Sequence, residues 1–219
     1  MTTRGWDRHR ERWFSRRVAR RLPQVVIGCG LLGFGIALMA SGRLGFGPWV
    51  VLAEGVSKRV GVSLGLADIL VGIPVLLGWV FIRERPGIAT VITAVEVGLV
   101  INLGLLILPE PEQLWVRFGT TAIGVLAAGL GIGIYLAADL GPGPRDGLMT
   151  GLHRLTGHSI RLMRTGVEAT VLILGFLLGG SIGIGTVLMA LGIGPVIQAT
   201  LSVFDREGRV MQRAPVDEI

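Results

Sequence analysis

The chain has 219 residues, of which 51% are hydrophobic and 16% are charged, with a formal net charge of +6. Together with a mean hydropathy of +0.67, this composition excludes an ordinary soluble domain and indicates a polytopic membrane protein. The positive charge does not indicate a nucleic-acid partner, because the basic residues flank apolar runs, where they set topology and contact the lipid bilayer. The lone cysteine, Cys29, excludes an intrachain disulfide.

The first 23 residues are strongly basic and precede an apolar run, a pattern shared with secretory signal peptides. We expect no cleavage, because that apolar run matches a later segment of the chain and therefore belongs to a structural repeat. Residues 1–23 are predicted to remain as a basic cytoplasmic segment. Its arginines are Arg4, Arg8, Arg10, Arg12, Arg16, Arg17, Arg20 and Arg21.

Six apolar runs are long enough to cross a bilayer, which takes about 20 residues. They predict an all-α polytopic fold with six transmembrane helices. The runs lie at 24–43, 65–83, 87–108, 117–138, 163–180 and 183–204.

The last three runs repeat the first three. A shift of 96 residues aligns 27–105 with the later segment without a gap, and about a third of the positions are identical. Because each copy has an odd number of spans, the second copy must start on the opposite side of the membrane, which predicts an inverted-topology repeat. The predicted organisation is repeat 1 at 24–108, a linker at 109–116, repeat 2 at 117–204 and a cytoplasmic tail at 205–219.

The charges between the runs predict a bacterial plasma-membrane protein with both termini in the cytoplasm. Under this arrangement the basic segment 83–85 falls inside and the acidic loop 110–112 falls outside. Arg43, Lys58 and Arg59 fit less well, because they would face outward.

Segments 48–60 and 144–156 are too short to span and carry charges. Each begins with a proline after a glycine and closes at a glycine, which predicts a short helix. The two helices either lie at the interface or enter the membrane as re-entrant half-helices, whose N-termini could bind an anionic group. In the re-entrant case the substrate-binding candidates are Gly47, Pro48, Trp49, Gly143, Pro144, Arg145 and Asp146.

Arg145 has two interpretations. It could bind a carboxylate or phosphate of a solute. Alternatively, it forms a local salt bridge with Asp146 or anchors the topology.

Two acidic residues inside the predicted spans are candidates for proton coupling. Glu96 lies near the middle of the third span, where an acid should face the bundle interior; it either carries a proton or is a neutral group bonded to a neighbouring helix. Glu168 lies nearer a span end and could instead pair with Arg164 on the same helix face. Asn102 and Gln198 occupy equivalent repeat positions and either line a polar path or bridge helices.

The sequence contains no convincing catalytic set. The three histidines lie outside the predicted spans, no serine has a base partner, and the glycine-rich turns lack the strand–loop–helix context of nucleotide-binding motifs. We therefore expect a protein that is not an enzyme and that uses no metal or cofactor.

The segments LGFGPW, LGPGPRDGL, TGHSIRLMRTGVE and GGSIGIGTVLMALGIGPVIQ resemble the YczE/YyaS/YitT family of bacterial integral membrane proteins. The resemblance covers about 24–204 and implies a multi-span plasma-membrane protein. Some family members are associated with antibiotic or lipopeptide production, which implies neither a substrate nor a mechanism. The residues that match the characteristic stretches are Arg145, Asp146, Arg164, Glu168, Gly183, Gly185 and Thr186.

Two functional hypotheses follow. The first is a small secondary transporter or exporter of an anionic or zwitterionic small solute, coupled to protons. The second is a non-transporting membrane partner, or scaffold, whose basic ends dock a biosynthetic complex. A homodimer is a further expectation, since six short spans enclose a thin core.

Overall fold

The computed structural model describes residues 16–205 of the chain, which fold into eight α-helices. The predicted basic segment up to residue 15 and the predicted tail after residue 205 lie outside the described residues. The helices are α1 (Arg16–Gly42), α2 (Pro48–Val60), α3 (Leu64–Ile82), α4 (Ile88–Ile107), α5 (Leu114–Ala137), α6 (Pro144–Thr156), α7 (Ile160–Leu177) and α8 (Ile184–Phe204).

Five of these helices, α1, α3, α4, α5 and α8, are long and apolar enough to cross a membrane. The remaining predicted span, 163–180, corresponds to α7, which lies at 160–177 and is not among the five. The reason is its composition, because Arg161, Arg164 and Glu168 fall within its 18 residues. Length and composition therefore support five candidate membrane spans among the described residues, one fewer than the six predicted from the sequence.

The first helix begins earlier than the predicted start at residue 24 and continues through Pro23. Two long side chains fasten its first turns to the end of α5. Arg21 donates to the Ala138 carbonyl at 3.1 Å, and Gln24 donates to the Ile134 carbonyl at 2.9 Å. These bonds hold the basic first turns of α1 against the helical core.

The two short helices lie at the predicted positions, 48–60 and 144–156. In each, a glycine N-cap precedes a proline in the first turn, where the missing proline N–H costs nothing. Each ends at a glycine in the left-handed region, with φ of 76° at Gly61 and 71° at Gly157. A side chain would be strained in that conformation.

Helices α1 and α5 pack along each other at the centre of the fold, and α4 and α8 pack against their outer sides. The contact between α1 and α5 depends on glycines, which have no side chain. A methyl group on Gly35 would lie 2.6 Å from the Ala128 amide nitrogen, and one on Gly131 would lie 2.5 Å from the Gly28 carbonyl oxygen. The backbones can approach this closely only because these positions are glycine.

The start of each outer helix holds the glycine-proline turn of the other half of the chain. At α4, the Ala89 amide donates to the Leu140 carbonyl at 3.3 Å, and the Thr90 hydroxyl donates to the Pro142 carbonyl at 2.7 Å. At α8, the Gly185 amide donates to the Leu44 carbonyl at 2.7 Å. These contacts, together with packing of α2 on α7 and of α3 on α6, fix where the two short helices begin.

Candidate functional site

A cavity of about 270 Å³ lies where the first turns of α2 and α6 meet the long helices α1, α3, α4, α5, α7 and α8. Of its 24 lining residues, twenty form ten pairs separated by 96 positions in the chain. The others are Leu32, Tyr135, Met149 and Gly194. Corresponding segments of the two halves therefore both contribute to the lining of the same cavity.

All seven residues predicted to bind a solute line this cavity. The two glycine-proline turns, which lie 96 residues apart in sequence, thus meet at one location. The seven residues are Gly47, Pro48, Trp49, Gly143, Pro144, Arg145 and Asp146.

Arg145 pairs across the cavity and not with its chain neighbour. Its guanidinium group forms an ion pair with the Asp68 carboxylate of α3, and it lies over the Trp49 ring, 5.3 Å from the ring centroid. Asp146 instead accepts a hydrogen bond of 2.6 Å from the Tyr135 hydroxyl. The alternative of a local Arg145–Asp146 salt bridge is therefore replaced by two separate contacts with other helices.

Helix α7 contributes a second ion pair to the cavity. Arg164 Nε lies 3.0 Å from Glu168 Oε1, four residues later on the same helix face, and both side chains line the cavity. They are half-buried, at 29% and 31% exposure. This is the pairing that the sequence offered as the alternative to proton coupling for Glu168.

Glu96 does not line the cavity. The α4 residues that do are Thr93, Ala94 and Val97, whereas the Glu96 carboxylate lies beside α1, where a methyl group on Gly30 would be 3.6 Å from its Oε1. The structure therefore separates the two predicted proton-coupling residues, with Glu168 at the cavity and Glu96 away from it.

Asn102 bridges two helices. Its side-chain oxygen accepts from the Gly65 amide at 2.9 Å, and its side-chain nitrogen donates to the Ser63 hydroxyl at 2.9 Å, which ties α4 to the start of α3. Gln198 lies at the equivalent position on α8, half-buried. Neither residue lines the cavity.

Sequence reasoning did not single out Asp68 or Tyr135. Asp68 is only 7% exposed although it lies in a span, so an ionisable residue in the predicted span 65–83 was one available signal. A second signal was its repeat position, since Asp68 and Arg164 are 96 residues apart. Tyr135 had no such signal, because its repeat equivalent is the apolar Met39.

The apolar helices and the helical fold define an integral membrane protein with several spans. Residues 19–202 match a family described as a family of unknown function, DUF6198, and the chain belongs to that family.

Three curated relatives resemble the chain over most of their length. An uncharacterized protein of Haemophilus influenzae is 36% identical over 83% of this chain and 84% of its own. From Bacillus subtilis, the uncharacterized membrane protein YczE is 32% identical over 80% and 82%, and the uncharacterized protein YyaS is 30% identical over 82% and 92%. The predicted resemblance to YczE and YyaS is thereby confirmed. No solved structure matches the chain.

Proposed function

We propose that the chain is a small secondary transporter, and not an enzyme, whose solute binds in the central cavity. The observation that carries the proposal is the pairing of opposite charges there: two guanidinium groups and three carboxylates line a cavity between two repeat-related walls. A solute that carries both a positive and a negative group can complement this lining. The preferred solute is therefore zwitterionic.

In this proposal the segments 24–108 and 117–204 are inverted repeats, and α7 is the sixth span. The charges of α7 support this assignment, because Arg164 and Glu168 face the cavity and so need not contact lipid. The short helices α2 and α6 are re-entrant, with both termini of the chain in the cytoplasm. Their first turns line the cavity, which is where broken backbone at membrane depth is tolerated and where helix N-termini can receive an anionic group.

Glu168 is the proposed proton carrier. Its carboxylate shares the cavity with the solute site and is paired with Arg164, so that protonation would release the arginine for the solute. Glu96 is not the proton carrier in this scheme, because it does not line the cavity.

The proposal is tested by the thermal stability of the purified full-length protein against a panel of small zwitterions and anions. A ligand that binds only the folded state stabilises it by about 2.7 kcal/mol at a hundredfold excess over Kd. We expect a dose-dependent rise in Tm with a zwitterion, followed by uptake of that compound into proteoliposomes.

The matched variants each remove one complete ion pair. Asp68→Asn combined with Arg145→Gln neutralises the cavity pair and should abolish the rise in Tm. Arg43→Gln combined with Glu110→Gln removes an exposed pair with a 2.9 Å separation and should leave it unchanged. A panel without any shift, in protein that remains folded, would contradict the proposal and favour the non-transporting partner.

A further inference from the structure

An apolar groove of about 640 Å³ lies beside the charged cavity, between α3 and α7. Its walls again come from equivalent positions of the two halves, such as Leu70 with Gly166 and Val71 with Val167. Several of these side chains are exposed, including Leu70 at 38% and Leu162 at 54%. The groove therefore continues the outer apolar surface of the protein toward its interior.

Trp49 belongs to the linings of both the groove and the cavity. Its side chain is 7% exposed, and among the described residues its indole N–H has no hydrogen-bond partner. A buried donor without an acceptor destabilises a fold, because its hydrogen bond to water is lost and not replaced. A ligand acceptor at the boundary between cavity and groove would satisfy this N–H.

The same two helices build both compartments. On α3, Asp68 and Gly72 line the cavity while Val71 and Pro74 line the groove, and α7 divides its residues in the same way. A molecule with a charged end and an apolar chain matches this sequence of surfaces: charges of both signs, then an indole, then an apolar channel. A small solute without a chain leaves the groove unused.

We propose that the transported solute is a zwitterionic membrane amphiphile, with its headgroup in the Arg145–Asp68 cavity and its hydrocarbon chain in the α3–α7 groove. The amphiphile moves laterally from the bilayer along the groove, and Trp49 contacts it where headgroup meets chain. This inference rests on the proposed function, because it specifies the solute of the same cavity.

Glycines with open surroundings provide the test variants. A methyl group would meet no atom within 4 Å at Gly166 in the groove, at Gly72 in the cavity or at Gly119 on α5. Leucine at each position should fill the local space without displacing packed atoms. Gly119→Leu is the matched control, because Gly119 lies in neither lining.

The experiment measures binding to the full-length protein in nanodiscs, with partition into empty nanodiscs subtracted. The probes are glycerophosphoethanolamine, its lauroyl ester lysophosphatidylethanolamine, and lauroyl lysophosphatidylglycerol, which lacks the positive group. We expect lysophosphatidylethanolamine to bind at least about tenfold more tightly than either of the other two, a difference of about 1.4 kcal/mol.

Each variant has a distinct expected result. Gly166→Leu should remove the tenfold advantage of the chain and leave glycerophosphoethanolamine binding unchanged. Gly72→Leu should weaken the binding of both phosphoethanolamine probes, whereas Gly119→Leu should weaken the binding of neither. Thr170→Leu, at an exposed groove position, is the second groove variant and should repeat the result if Gly166→Leu does not fold.

Four outcomes would overturn the inference. Equal binding of both phosphoethanolamine probes, sensitive to Gly72→Leu only, would retain the transporter proposal and remove the amphiphile. Equal binding of the two lauroyl probes would mean that the groove holds bulk lipid without headgroup recognition. Binding that is insensitive to Gly72→Leu, or no binding of any zwitterion, would overturn the cavity as the solute site itself.

Discussion

Asp68 is buried within a predicted span, and the Arg145 guanidinium neutralises it. Its partner is more accessible, with 28% of the side chain exposed. Removal of one member of a buried ion pair leaves an uncompensated charge and destabilises a protein by about 3–5 kcal/mol. The partial exposure of Arg145 sets the expectation at the lower end of that range.

Arg145→Ala should therefore lower the free energy of unfolding by about 3 kcal/mol, measured by denaturation in detergent. The double variant that also carries Asp68→Asn should recover part of this loss, because no charge is then left unpaired. Arg43→Ala breaks an exposed pair and should cost at most about 1 kcal/mol. Equal losses in Arg145→Ala and Arg43→Ala would contradict the importance assigned to the cavity pair.

The two candidate proton-coupling residues, Glu168 and Glu96, are expected to differ in proteoliposome assays. Glu168→Gln should abolish the pH dependence of solute uptake, because this carboxylate lines the cavity beside Arg164. Glu96→Gln should retain the pH dependence, since its side chain lies beside α1 and outside the lining. The measurement is the ratio of initial uptake rates at two pH values for each variant. The opposite ranking would assign coupling to Glu96.

At the scale of the element, the approach of α1 to α5 is limited by backbone atoms. Gly35→Leu should lower stability by about 3 kcal/mol, because even its first carbon would lie 2.6 Å from atoms of the α5 backbone, which cannot rotate away. Gly119→Leu on α5 has open surroundings and should change Tm little. An unchanged Tm for Gly35→Leu, measured in the same detergent, would mean that the two helices are further apart.

The elements most accurately predicted from the sequence are those that local chemistry determines. Helices α2 and α6 begin and end at the predicted residues because proline after glycine starts each and a left-handed glycine ends each. Helix α1 extends N-terminally of the predicted span, which starts at residue 24, because the basic residues that bound an apolar run can themselves be helical. The partner of Arg145 could not be read from its neighbours, since Asp68 is 77 positions away in the chain.

At the scale of the whole molecule, the proposed inverted repeat makes a prediction about sidedness. Lys58 and Arg154 occupy equivalent repeat positions and both are exposed, so inversion should put them on opposite faces of the membrane. A background of Cys29→Ser keeps a group that can bond to the Thr93 hydroxyl, which lies 3.2 Å from the Cys29 sulfur.

In intact cells an impermeant maleimide should label Lys58→Cys, and should label Arg154→Cys only after permeabilisation. The reagent reports topology by accessibility and does not depend on transport. Labelling of both positions from one side would contradict the inverted arrangement and leave the cavity without its proposed symmetry.

The two walls of the cavity match in position but not in charge. Asp68 on one wall corresponds to Arg164 on the other, Trp49 to Arg145 and Gly72 to Glu168. A pair of identical half-length chains would carry the same sign on both walls, whereas one continuous chain can carry opposite signs. The charged lining is therefore asymmetric, with one acidic side chain from the first half and two basic and two acidic side chains from the second. The two end-to-end orientations of a dipolar molecule inside the cavity are for that reason not equivalent.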